Sequence, residues 1–223
     1  MEGIKVNMNI EKIIGQLSKY TPEIVQVLSI NNWANFRLYY QIKEEYLNKP
    51  ISDEFKNVFA IFYILNGPNG LNNKQKNKFF ELLETRETSL PKILAGLYEI
   101  PGYQGFHSLF LSFGTKLLHT LDNSLPIYDR NIASLLELPT QEPYESLEEG
   151  SKNRVYIYNE LKNDFTILLD NQEIKSCLVN FRKHLIQATD IDGFEWKDGL
   201  LSETKLLDSV LWALYTVLQE TVL

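Results

Sequence analysis

Eight prolines (Pro22, Pro50, Pro68, Pro91, Pro101, Pro126, Pro139 and Pro143) cut the first part of this 223-residue chain into pieces about one helix long, and none follows Pro143. Proline has no backbone N–H and its ring clashes with the preceding turn, so a helix starts or stops where one stands. The pieces between the prolines carry apolar residues at helical spacing. Asn9 is read as capping a helix to about Tyr20, and Thr21-Pro22-Glu23 as a cap with proline in a first turn. NNWANFRLYYQIKEEYL (31–47) reads as a helix with an aromatic face, and Ser52-Asp53-Glu54 opens another whose body VFAIFYIL (58–65) is apolar on all sides. GPNG (67–70) is a turn. Residues 71–85 form a helix with Phe79, Phe80, Leu82 and Leu83 inward and Lys74, Lys76 and Lys78 outward, and Ser89-Leu90-Pro91 starts the next.

The proline-free end predicts helices over about 154–170 and 172–188, a loop over 191–199, and a core-facing helix from Ser202 to about Thr221. VYIY (155–158) and FTILL (165–169) have strand-like composition but helical flanks. The expected fold class is all-α, about ten helices in a two-lobed bundle. It is read as one domain over 1–223, with lobes 1–140 and 151–223 joined by the acidic stretch QEPYESLEEG (141–150).

The charge balance is 29 acidic to 22 basic side chains, a net −7, which argues against a surface that grips nucleic acid all over. A local DNA site remains compatible with it. Cys177 is the single cysteine, so there is no disulfide framework and no cysteine-rich metal site. Its neighbours Ile174, Leu178 and Phe181 at helical spacing mark it as structural. His107, His119 and His184 do not have metal-ligand spacing, and no metal or cofactor is expected. With no signal-like N-terminus and no long apolar run, the chain is expected to be cytoplasmic, without a membrane partner. Arg182-Lys183-His184, like the lysines of 71–85, reads as a solvated basic face.

Residues 100–138 hold most of the functional signal. IPGYQG (100–105) is a Pro-Gly turn, and a helix over about 106–121 is expected after it. Free N–H groups at such a helix start attract phosphate. On that helix Ser108, Ser112, Lys116 and His119 share one polar stripe. If the stripe faces a cleft, Lys116 becomes a candidate nucleophile, because desolvation favours its neutral amine. In LPIYDRNIASLLEL (125–138), Pro126 delays the helix and Asp129 stands at the N-cap position. A cap and a chemically active carboxylate are compatible in one place.

This combination of IPG, a helix, and LPIYDRNI resembles the helix-hairpin-helix superfamily of DNA base-excision glycosylases. The likeness is nearest to the adenine-mismatch and 8-oxoguanine members and covers about 40 of 223 residues. It implies that Asp129 is the catalytic carboxylate and that Gly102, Tyr103, Gln104 and Gly105 bind DNA. It also implies that a flipped base enters between the lobes. Gly105 stands one place late for the family hairpin. Phe106 and His107 occupy the place of the lysine found in bifunctional members, and Lys116 lies about three turns further on.

The Ser-Phe-x-x-Lys and Pro-Ile-Tyr-Asp segments are also similar to a bacterial glycosylase-like group. That likeness implies Lys116, Tyr128 and Asp129 as signature positions, with Asp208 and Trp212 packing nearby; with the polar stripe facing a cleft, Ser112, His119 and Tyr128 are expected to line the pocket. Two other functions fit the same residues. One is a non-catalytic binding module that keeps the fold and uses Asp129 as a cap. The other is a helical protein with no nucleic-acid role, so a protein partner stays open beside DNA.

Overall fold

The structure is a computed structural model, and it describes residues 2–28, 33–48, 51–67, 70–103, 105–189 and 199–220. Among them are eleven helices and no strand. The first group is α1 (Glu2–Lys19), α2 (Thr21–Gln26), α3 (Trp33–Asn48), α4 (Asp53–Phe62), α5 (Asn73–Glu84) and α6 (Leu90–Tyr98). The second is α7 (Leu111–Leu121), α8 (Arg130–Leu135), α9 (Leu147–Asp170), α10 (Gln172–Thr189) and α11 (Glu203–Glu220). Gln104, the tip of the 67–70 turn and most of the 191–199 loop lie outside the described residues.

Helix starts follow local chemistry. Ser52 caps α4 by accepting from the Phe55 N–H at 3.0 Å, and Ser146 caps α9 by accepting from Glu149. Asn72 and Gln75 form a capping box on α5, and α2 and α6 carry proline in their first turns. Asn9 does not cap: it lies inside α1. Residues 155–158 and 165–169 are both part of α9.

Helix ends are less conventional. Leu65 N–H bonds the Ala60 carbonyl and Ile64 N–H bonds Ile61, a Schellman closure that ends α4 at Phe62 rather than near residue 65. The pivot is Ile64, at φ 52°, and Arg86 and Glu137 hold the same left-handed place after α5 and α8, each at φ 55°. Glycine normally occupies it, because a side chain there costs roughly 1–2 kcal/mol.

The expected helix over 106–121 is corrected: α7 begins at Leu111. Gly102 N–H bonds the Phe106 carbonyl at 2.8 Å, across a turn closed by Gly105 N–H to Gly102 O. Gly105 takes φ 79°. His107 Nδ1–H donates to the Tyr98 carbonyl, which fastens residue 107 to the end of α6. With these groups committed, 106–110 stays outside the helix. The loop is docked on the start of α5, where Asn72 and Gln75 side chains donate to the Pro101 and Ile100 carbonyls.

One buried apolar cluster draws on residues from α1 through α11. α11 packs on α2, α8, α9 and α10, while α7 packs on α5 and α6. The 141–150 stretch is tied into this framework. Arg154 Nη1–H donates to the Glu142 carbonyl at 2.6 Å, and its guanidinium lies 5.0 Å from the Tyr144 ring centre. Gly150 is buried against Leu109 and Tyr144.

Candidate functional site

Residues 122–129 are non-helical, so their backbone groups need partners from elsewhere in the fold. Tyr128 N–H donates to Thr115 Oγ1 at 2.9 Å and Tyr158 Oη–H donates to the Pro126 carbonyl at 3.2 Å. Ser202 and Thr204, at the start of α11, donate their hydroxyls to the Asn123 and Ser124 carbonyls at 2.7 and 3.2 Å. The segment is thus fastened to α7, α9 and α11 together.

His119 is a further tether, also from α7. Its Nδ1 faces the Leu125 carbonyl at 2.7 Å, and a carbonyl only accepts, so that nitrogen carries the hydrogen. Burial pushes its pKa down to about 3, with Lys205 adding to the effect. The ring is therefore neutral, and its Nε2 accepts from the Tyr39 hydroxyl at 3.0 Å. Lys43, buried and pushed down to about 8 for the same reason, donates to the Thr120 carbonyl at the end of α7.

Where α3, the end of α4, α7, the start of α8 and α11 meet, a cavity of about 230 Å³ opens. Phe36, Tyr39, Phe62 and Trp212 supply aromatic wall, and Lys116, Asp129, Lys205 and Asp208 supply the charge. An apolar cavity of ~150 Å³ holds benzene, so this one has room for one small ring system. Ile64, exposed yet lining it, stands at the rim.

Asp129 Oδ1 accepts from the Asn131 N–H at 2.7 Å and, more weakly, from Ile132 at 3.4 Å, so the residue is the N-cap of α8. Lys116 Nζ donates to the Tyr63 carbonyl at 3.0 Å and lies 5.0 Å from the Phe113 ring centre. Burial pushes its amine down to about 8, opposed by Asp129 and Asp208 and assisted by Lys205. On α11, Lys205 Nζ and Asp208 Oδ2 form an ion pair at 2.5 Å. Burial raises the Asp208 carboxyl, and Lys205 opposes the rise. Tyr39 and Tyr63 are both raised by burial and keep their protons. The Tyr63 hydroxyl has Thr120 as a weak partner and no well-formed hydrogen bond.

No protein-family model, curated protein or solved structure matches this chain. Its chemistry is therefore read from the cavity alone. With Lys116 charged, the four ionic groups sum to zero. With Lys116 neutral they sum to −1, a setting that favours a cation or a transition state acquiring positive charge. Among the described residues no group of His, Cys, Asp or Glu is placed to hold a metal.

The cavity brings together Lys116 and Asp129, and adds Asp208 and Trp212 from the far end of the chain. Ser112, His119 and Tyr128 are not among its lining residues. His119 and Tyr128 are buried behind it, the first touching Tyr39 and the second held by Thr115. Gly102, Tyr103 and Gly105 sit in the loop on α5 and do not line it. Tyr103 and Phe106 are exposed there, and Lys74 and Lys76 lie on the neighbouring first turn of α5. Cys177 is partly buried within α10, and burial raises its thiol. No helix among the described residues is long and apolar enough to cross a membrane.

Sequence reasoning assigned no role to Lys205, Tyr39 or Tyr63. A signal existed for Lys205: in KLLDSVLWAL a lysine and an aspartate three apart sit on an otherwise apolar helix. Such charges are buried only when paired.

Proposed function

We propose that the protein is a glycosylase-like enzyme that cleaves an N-glycosidic bond, with DNA as the substrate class and Asp129 as the carboxylate. The observation that carries this reading is the shared cavity of Lys116 and Asp129 within aromatic walls. A base turned out of a duplex is held by stacking between aromatic and apolar side chains, and Phe36, Phe62 and Trp212 offer such faces. As the base leaves, the sugar gains oxocarbenium character. A carboxylate beside it stabilises that charge. Lys116, whose amine burial brings near neutrality, can attack the sugar carbon in its place or after it. Phosphate contacts would fall to the 101–107 loop and the adjoining lysines of α5.

A second reading is favoured by the hydrogen bonds themselves. Asp129 is engaged as a cap and Lys116 with a carbonyl, which is what a non-catalytic binding protein of the same fold would need.

The test is base release and borohydride trapping on duplexes carrying abasic, oxidised or mismatched sites, with Lys116→Ala and Asp129→Asn. Asparagine caps a helix about as well as aspartate, so Asp129→Asn removes the charge and keeps the cap. Release abolished in Asp129→Asn supports the enzyme reading. No release by the wild type across the panel leaves the binding reading.

A further inference from the structure

The cavity holds two lysines in unequal surroundings. Lys205 is paired with a carboxylate and lies over the Tyr39 and Phe62 rings, at 5.7 and 5.9 Å from their centres. Lys116 makes no ion pair among the described residues, and its amine donates to a neutral backbone carbonyl, that of Tyr63. One amine is thus held as an ammonium, while the other faces that charge in the same low-polarity space.

We propose that Lys205, held by Asp208, is a positioning residue for Lys116: its ammonium keeps the Lys116 amine free to attack the carbonyl carbon of a small aldehyde or a ring-opened sugar. The inference rests on Lys116 as the nucleophile of the site, and not on DNA as the substrate. Burial does most to disfavour the Lys116 ammonium, and two like charges in a poorly solvated space repel, so the amine without its own counter-ion gives up its proton the more readily of the two. A second cationic group activates lysines in this way in known imine-forming enzymes.

The groups facing Lys116 come from several elements. Tyr39 stands on α3, Tyr63 at the end of α4, Asp129 before α8, and Lys205 and Asp208 on α11. Both tyrosines keep their protons, so the balance lies between two carboxylates and one ammonium. In the reaction the amine nitrogen forms a bond to the carbonyl carbon and the C–O bond breaks. Amine, carbonyl compound and one solvent proton give an iminium and one water.

Reductive alkylation tests this. The protein is treated with propanal and cyanoborohydride between pH 6 and 10, and each lysine is followed by peptide mass spectrometry. Lys92 and Lys152, with side chains 74% and 75% exposed, are internal references. In the wild type Lys116 is alkylated with a midpoint below theirs. Lys205→Met moves that midpoint up and slows labelling at pH 7 by about tenfold, one pH unit of displacement. Lys205→Arg restores it. Asp208→Asn removes a carboxylate and frees the Lys205 charge, so the midpoint moves down.

Opposite shifts in Lys205→Met and Asp208→Asn are what simple loss of structure does not produce, and melting curves of each variant accompany the measurement. An unmoved midpoint in Lys205→Met, or shifts of the same sign in both variants, overturns the proposal. An unlabelled Lys116 in the wild type overturns it together with any lysine chemistry at the site. Normal labelling and normal shifts with no base release from DNA overturn only the glycosylase reading.

Discussion

The amine of Lys116 on α7 donates to the carbonyl of Tyr63 at 3.0 Å, joining positions 53 apart in the chain. Tyr63 is the residue that closes α4, and its carbonyl is one of those a helix end leaves without an internal partner. A lysine suits that place, because the end of a helix is its negative pole. The same bond holds the amine in the cavity beside Asp129.

The stability of the protein rises with pH through the Lys116 titration. Its amine ionises near 8 in the fold, below the ordinary 10.5, so the unfolded chain binds more protons between those values. Measured against Lys116→Met by urea unfolding, the wild type gains about 2–3 kcal/mol between pH 7 and 10.5. A constant difference across that range contradicts the burial argument.

Acid acts through His119. Its pKa is near 3 in the fold against an ordinary 6.5, so folding excludes its proton, and stability falls as pH drops below 6.5. Asp164, which burial raises to about 6, works in the opposite direction over the same range. Comparison with His119→Gln isolates the imidazole. The variant is less stable at pH 7, and the gap narrows by about 2 kcal/mol by pH 5. A gap that does not narrow refutes the neutral, buried assignment.

Gly150→Ala destabilises the protein. An added Cβ would stand 2.5 Å from Leu109 Cδ1 and 2.6 Å from Tyr144 Cγ. The leucine tip can swing away, but the ring carbon next to the Tyr144 Cβ cannot. Helix propensity returns ~1 kcal/mol to alanine, against overpacking of roughly 1–3 kcal/mol. A loss of about 1 kcal/mol in thermal or urea unfolding is expected. A gain would mean that 141–150 stands off the core.

Ile64→Gly stabilises. The residue is 73% exposed and has φ 52°, so little packing is lost and left-handed strain is relieved. The gain expected is about 1 kcal/mol in urea unfolding, smaller than the full strain because glycine is freer in the unfolded chain. An equal or lower stability shows that the rim of the cavity depends on the isoleucine side chain.

Much of the helix pattern was legible because helix starts are written within four residues. Ser52 and Asp129, both read as helix starts, cap by reaching N–H groups two or three places on; Ser146 does the same for α9, but inside the stretch read as a linker, where the helix was expected only from about 154. Helix ends were harder to read. Ile64, Arg86 and Glu137 fill the position that glycine usually marks, and at Ile64 nothing local announced that α4 stops at Phe62. The start of α7 was misplaced for a related reason. Residues 106 and 107 are held by Gly102 and Tyr98, and no spacing rule contains those bonds.

By itself, then, the sequence determined an all-helical chain and put Asp129 at a helix start, since both follow from the period of apolar residues and the reach of a short side chain. Only the tertiary structure decided that Lys116 faces a cavity, that Lys205 and Asp208 share it, and that Gly102, Tyr103 and Gly105 do not line it. Those outcomes depend on bonds between distant parts of the chain, such as Tyr39 to His119 across 80 positions. Burial then sets the charges, and burial is a property of the packed helices together.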